Sequence, residues 1–261
     1  MELADLEALY ERHWTPSLLS VMPDEMLYFQ DLIARHRPKH FLEIGTASGM
    51  SGGLISLLLE ENGGETFTTL DHDNSFFGDP TKENGFLLED VYQGDRIVVD
   101  KRPFTLSMDL PSLDRAYDMA FIDANHQHPW PTIDTMCTYP FLTGSRVVLH
   151  HDLKLYKEQD VPLGIGPKYL YDQFPEELRD RSTANNGNLF SVRLDLDRDE
   201  FEALLTDAFN LPWSVATHIQ EPRLEAIRAV LGAYYSPELR EVFERSVRRF
   251  NRPIKERWPT S

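Results

Sequence analysis

The chain has almost no cysteine. Cys137 is the only one in 261 residues, which excludes an internal disulfide and a multi-cysteine metal site and fits a reducing compartment. No segment approaches the roughly 20 apolar residues that a membrane span needs. The opening MELADLEALYE is acidic and has no long apolar run, so no signal peptide is expected. These absences point to a soluble, cytoplasmic protein. Positive charge is also scarce, with 26 basic against 43 acidic residues and a net charge of −17. A surface that acidic repels phosphate backbones, so neither nucleic acid nor membrane is an expected partner. There is no internal repeat and no low-complexity segment. What is present suits one large α/β domain with additions, since 41% of the residues are hydrophobic and can build a sizeable core.

The stretch FLEIGTASGMS, residues 41–51, organises the rest. Phe41, Leu42 and Ile44 read as a short buried strand whose carboxyl end carries Glu43. Gly45, Ala47, Ser48 and Gly49 form a turn of small residues, and Leu54 to Leu59 continue as an apolar helix. A strand, a tight turn and a helix make a cup towards which the helix presents free N–H groups and its positive dipole end.

Two helices precede this strand. Leu3, Leu6, Leu9 and Tyr10 recur at helical spacing, and after Pro23-Asp24 so do Met26, Phe29, Leu32 and Ile33, with Pro38 as a stop. After the cup, strands are expected at Thr66–Leu70, Arg96–Val99, Tyr117–Ile122 and Arg146–Leu149. Helices are expected near Ser51–Glu61, Phe86–Tyr92, Thr132–Phe141 and Lys168–Phe174, with a helix or turn at Leu106–Leu113. Residues 153–167 carry Pro162, Gly164, Gly166 and Pro167 and read as a mobile loop. Leu178–Ala184 and Asn188–Leu194 flank Asn185-Asn186-Gly187, a hairpin signal. Alternating strands and helices imply a parallel sheet, to which the hairpin adds an antiparallel edge. Beyond Asp199 the apolar spacing is helical again, at Phe201, Leu205, Phe209, Ile227, Leu231, Leu239 and Phe243. The chain thus divides into a helical prefix (1–38), a core (39–197) and a helical extension of the same folding unit (198–261), with a homodimer as a further option.

Ligands of such sheets bind outside the carboxyl ends of the strands. Gly45–Gly49, Asp71, Asp123 and His151-Asp152 all follow strand ends. An acid after the second strand can accept both hydroxyls of a ribose, in nicotinamide enzymes and in methyltransferases alike, so Asp71 alone does not decide. The turn separates them better. A nicotinamide fingerprint wants G-x-G-x-x-G, and here Ala47 and Met50 occupy its second and third glycine positions.

The motif E-I-G-x-x-x-G-x-S (Glu43, Ile44, Gly45, Gly49, Ser51) resembles the first motif of class I S-adenosylmethionine-dependent O-methyltransferases of the catechol and caffeoyl-CoA type. AFIDANH (120–126) and VVLHHD (147–152) resemble motifs of the metal-dependent macrolide-sugar O-methyltransferases and of relatives called cephalosporin hydroxylases. The likeness spans residues 40–195. It implies a Rossmann-like sheet of seven strands, mostly parallel with a terminal antiparallel hairpin, with helical additions at both ends. It also implies that Glu43, Gly45, Gly49 and Ser51 surround the methionine part of the cofactor, with Asp123 alongside, that Asp71 binds its ribose, and that adenine lies near Asp100–Arg102. By the same resemblance, Asp123, His151 and Asp152 bind a divalent metal, and His126 stands where the macrolide-sugar enzymes keep their general base; a lysine holds that place in the catechol type. His151 replaces an acid usual in the family. Imidazole suits Mn, Fe or Zn better than Mg.

His150 and His151 alternate along the strand, so one of them should enter the sheet packing. His128, before Pro129-Trp130, reads as a loop residue near the substrate. The leading reading is a metal-assisted O-methyltransferase acting on a hydroxylated sugar, phenol or natural product. A metal-free methyltransferase, an inactive cofactor-binding module and a nicotinamide-dependent oxidoreductase stay open as alternatives.

Overall fold

The computed structural model describes residues 1–13, 18, 20–158 and 163–253. Its centre is one seven-stranded sheet of order β3-β2-β1-β4-β5-β7-β6. The strands are β1 (His40–Ile44), β2 (Thr66–Leu70), β3 (Val98–Arg102), β4 (Tyr117–Ile122), β5 (Leu142–His150), β6 (Arg179–Arg181) and β7 (Phe190–Arg193). The first five are parallel, while β7 runs antiparallel to β5 and to β6. This is the expected Rossmann-like sheet with an antiparallel end.

Alternation along the buried strands sends side chains to two cores. Phe41, Phe67, Met119, Phe121, Val147 and Leu149 face one side. There they meet α1 (Leu3–His13), α2 (Pro23–His36), α3 (Met50–Glu61) and the single turn α4 (Leu88–Val91), through Leu6, Phe29, Leu54 and Leu88. Leu42, Ile44, Leu70, Ala120, Ile122 and Val148 face the other side. They are covered by α5 (Trp130–Thr138), α6 (Gly166–Gln173), α7 (Arg198–Asn210), α8 (Glu221–Tyr234) and α9 (Pro237–Phe250), through Ile133, Leu170, Phe201, Ile227 and Phe243. The helices after Asp199 therefore belong to the core over β1 and β4. No described helix is long and apolar enough to cross a membrane.

Some boundaries differ from expectation. The third strand lies at Val98–Arg102 rather than Arg96–Val99, because as a sheet edge it can carry polar Asp100, Lys101 and Arg102. The helix expected over Phe86–Tyr92 shrinks to Leu88–Val91. The fifth strand starts at Leu142, through Gly144 and Ser145, which read locally as a turn. The hairpin turn holds Asn185, Asn186 and Gly187 at φ 43, 55 and 74°, and its arms are shorter than the sequence suggests. Of the loop at 153–167, residues 159–162 lie outside the described residues; Leu155–Lys157 forms a 3-10 turn and Gly166 begins α6.

Candidate functional site

The ends of β1 and β4 converge at Gly45. Its φ of +106° is open to glycine, and a Cβ there would stand 2.1 Å from the Asp123 carbonyl oxygen. The Gly45 N–H donates to the Leu70 carbonyl and the Asp123 N–H to that of Ile44, both at 2.9 Å. Three strand ends are thus pinned together at the rim of a cavity of about 710 Å³.

Asp71 closes the turn from the second strand. Its Oδ2 accepts from the N–H groups of Thr46 (3.1 Å) and Ala47 (3.2 Å). Its Oδ1 accepts from the Asp73 N–H and lies 3.1 Å from His72 Nδ1. Asp71 lines the cavity together with Gly45 and Ala47, so it orders the turn and offers a carboxylate edge to a ligand.

Glu43, Gly49 and Ser51 are placed differently from expectation. Glu43 is fully buried behind the turn, where Ser51 Oγ donates to one carboxyl oxygen (2.8 Å) and Thr69 Oγ1 to the other (2.6 Å). Burial pushes its pKa up to about 8, against the lowering effect of those two bonds. Gly49 faces the loop over the helix start, and a Cβ on it would meet Gly85 Cα at 2.7 Å. That loop also donates N–H groups from Gly85 to the Ala47 carbonyl and from Leu87 to that of Ser48. None of the three lines the cavity. They hold the turn from beneath and behind. Asp100–Arg102, where adenine was expected, is also outside the wall; the Asp100 carboxylate is taken by Arg102 and Arg115.

At the far side of Gly45 the histidines and acids meet. His126 Nε2 lies 3.1 Å from Asp123 Oδ1 and 3.4 Å from Asp152 Oδ2. His151 Nδ1 lies 3.5 Å from Asp123 Oδ1 and 3.5 Å from Asp152 Oδ1. Asp123, His126 and Asp152 can each offer one donor atom with all three within 4.8 Å, a spacing that suits a metal ion. The grouping differs from the expected Asp123, His151 and Asp152 by containing His126. His151 stays within reach of both carboxylates, but its other nitrogen is engaged by Glu25. Only Asp123 and His126 of the four also line the cavity.

The charges respond to this crowding. Burial opposes ionisation of Asp123, yet the His151 and His126 imidazoles outweigh it and hold its carboxyl below the ordinary range. Burial likewise disfavours both imidazolium ions, and the carboxylates overcome it, so His126 is raised and His151 is raised well above 6.5.

His150 and His128 serve the packing instead. His150 points into the sheet packing, stacked on Phe190 with Nε2 3.2 Å from Thr135 Oγ1, and burial pushes its pKa down to about 3. His128 corrects the expectation of a residue near the substrate. It is wholly buried under the segment before α8, with its ring edge-on to Tyr169 and its backbone bonded to Ser214 and Thr217.

Four residues had escaped the motif reading. Glu25 reaches the cluster from α2. Asp134 lines the cavity from α5, accepts from Ser107 Oγ at 2.6 Å, and is pushed up to about 7 by burial. A lone acid in the apolar run WPTIDTMCT was its sequence signal. Trp130 and Arg223 close the wall from α5 and α8, the guanidinium 5.9 Å from the ring centroid.

Residues 42–153 match the family model of a methyltransferase domain. The match runs from β1 to just beyond β5 and encloses the turn, Asp71, Asp123, His126 and Asp152. The fold of the chain resembles solved structures as well. One is a candidate caffeoyl-CoA O-methyltransferase from Staphylococcus aureus, with 14% identity, 74% of this chain and 91% of that chain covered, and a TM-score of 0.52. Another is the cofactor-bound Rv0187 from MTB, with 17% identity, coverage of 73% and 88%, and a TM-score of 0.50. At such identities the likeness concerns the fold alone. No curated protein matches the chain in sequence.

Proposed function

We propose that the protein transfers a methyl group from S-adenosylmethionine to a hydroxyl of a small molecule, with a divalent metal beside the cofactor. One observation carries the reading: a single cavity is bounded by the Gly45 turn and Asp71 on one side and by Asp123 and His126 on the other. Donor and acceptor can therefore meet in one cavity, where holding two reactants in contact is the main source of acceleration.

Gly45, Ala47 and Asp71 are the residues for the methionine and ribose parts of the donor. Bound S-adenosylmethionine supplies an electrophilic methyl group. In the metal-spaced group of Asp123, His126 and Asp152, His126 is kept for the proton and His151 Nδ1, 3.5 Å from each carboxylate, is the nitrogen donor in its place; such an oxygen, oxygen, nitrogen set fits Mn, Fe or Zn better than Mg. A metal there would lower the pKa of the acceptor hydroxyl. His126 faces the cavity and would accept the hydroxyl proton at its imidazole while the acceptor oxygen bonds to the methyl carbon and the methyl–sulfur bond breaks, with S-adenosylhomocysteine as the leaving group. Trp130, Leu155, Leu163 and Arg223 shape the space left for the acceptor.

A second reading dispenses with the metal. The 3.1 Å approach of Asp123 to His126 favours it, since the carboxylate stabilises the imidazolium that proton transfer creates. The test is label transfer from S-adenosylmethionine to a panel of phenols, sugars and hydroxylated natural products. It is run after chelation and again with each metal added back singly. Transfer restored by Mn, Fe or Zn supports the metal reading. Full transfer in chelator supports the metal-free one. No transfer to any hydroxylated acceptor counts against both.

A further inference from the structure

We infer that Glu25, on the helix before the first strand, is a positioning residue for the candidate metal centre: it holds the His151 ring so that Nδ1 faces Asp123 and Asp152. The inference rests on the reading that these residues hold a divalent metal.

Glu25 lies in the first turn of α2, far in sequence from the site, and its side chain is 0% exposed. Its Oε2 accepts from the Met22 N–H at 2.9 Å and lies 3.2 Å from His151 Nε2. Its Oε1 accepts from Asn185 Nδ2 in the hairpin turn at 3.3 Å. The bond to Met22 is that of an ordinary helix cap. A cap alone is a poor reason to bury a carboxylate. It works equally well at the surface, whereas burying a carboxylate without a compensating partner is strongly unfavourable. Met22 itself is 46% exposed, so the carboxylate turns inward from an accessible helix end.

What it meets there is one edge of an imidazole. A carboxylate only accepts, so the nitrogen facing it carries the hydrogen. Nε2 is thereby committed to Glu25, and Nδ1 is the atom left for Asp123 and Asp152, 3.5 Å from an oxygen of each. A histidine that binds metal through one nitrogen commonly donates the other N–H to a carboxylate, which fixes the ring and its tautomer. The arrangement at Glu25 has that form. It also gives the N-terminal helix pair a role in the site: α2 packs on β4 through the edge contact of Phe29 with Phe121 (centroids 4.8 Å apart), and so carries Glu25 to the end of the same strand.

The experiment is a Mn(II) titration read by electron paramagnetic resonance, with Mg(II) titrated in parallel by calorimetry. It uses chelator-stripped wild type, Glu25→Gln and Glu25→Ala, each checked by circular dichroism and melting. Glu25→Ala is expected to lose about 10–100-fold in Mn(II) affinity. Glu25→Gln, which keeps an acceptor, should lose less. Mg(II) affinity should fall less than Mn(II) affinity in either variant, because the disturbed donor is a nitrogen. Unchanged Mn(II) affinity in a folded variant overturns the inference, and so does an equal loss for both metals, which marks a packing defect. If Glu25→Ala does not fold, Glu25→Gln carries the test. Wild type that binds neither metal overturns the metal reading and this inference together; wild type that binds Mn(II) beside unaffected variants overturns the role of Glu25 alone.

Discussion

Gly45 and Asp123 share the space of a single side chain: a Cβ on Gly45 would lie 2.1 Å from the Asp123 carbonyl oxygen and 2.7 Å from its carbon. That contact brings the turn and the acidic cluster together. Since the obstacle is backbone, it cannot swing aside. Gly45→Ala should cost about 1–3 kcal/mol in backbone strain alone, beyond any loss of ligand. A melting curve checks it, and an unchanged melting temperature would mean that the turn is not as described. The same clash makes Gly45→Val a folding defect rather than a clean binding defect.

Glu43 predicts a pH dependence of stability. Its ordinary value of 4.5 is raised to about 8 in the folded protein. Between these values the folded state keeps a proton that the unfolded state has released. The contribution of Glu43 is therefore full below about 4.5 and is lost as pH rises through about 8. Glu43→Gln, which cannot ionise, should melt with a weaker decline between about pH 5 and pH 8.5 than wild type does. Parallel declines would show that Glu43 is already ionised in the fold.

The C-terminal helices should not fold alone. Phe201 stacks on Tyr139 at 4.2 Å, Tyr235 donates its hydroxyl hydrogen to the Met136 carbonyl at 2.5 Å, and Ile227 and Phe243 share the core with Leu42. A fragment starting at Arg198 leaves these partners behind and is too short to bury an adequate core. It should show no cooperative melt; a cooperative one would make it a separate domain.

Much of the sheet was legible because strands buried on both faces read as short runs of β-branched, aromatic and aliphatic residues. Thr66–Leu70 and Tyr117–Ile122 have the same bounds in sequence and structure. Legibility failed at the edges. Val98–Arg102 and Arg179–Arg181 are polar, because an edge strand lacks a second neighbour and need not be apolar throughout. Gly144 and Ser145 hid the start of the fifth strand for a related reason, since each is a good turn former in isolation.

At the site, motifs marked the right loops and misjudged depth. Gly45, Asp71, Asp123 and His126 line the cavity. Glu43 sits one strand position before Ile44, which lines the cavity, so its side chain leaves on the opposite face, into the packing beneath α3. Glu25 was invisible for another reason. In PDEMLYFQDLIARH an acid in the first turn is what any helix start carries, and only the fold brings it to His151.

Asp123 and His126 should separate by their variants. Asp123→Asn removes an oxygen donor and should reduce Mn(II) binding at least tenfold. His126→Ala should lower turnover about 10²–10⁴-fold, the usual range for a general base, with Mn(II) and S-adenosylhomocysteine binding nearly unchanged. The check is Mn(II) affinity beside turnover. Loss of Mn(II) from His126→Ala would make His126 a ligand and leave the base to another group.

The most direct measurement is a calorimetric titration of the metal-replete protein with S-adenosylhomocysteine, beside the same titration of Asp71→Ala and of wild type with a nicotinamide dinucleotide. Wild type should bind S-adenosylhomocysteine at one site per chain and ignore the dinucleotide. Asp71→Ala should bind at least tenfold more weakly, since even one charge-assisted hydrogen bond is worth about 1.5–3 kcal/mol. Saturable binding of the dinucleotide with none of S-adenosylhomocysteine would contradict the methyl-transfer reading at its root.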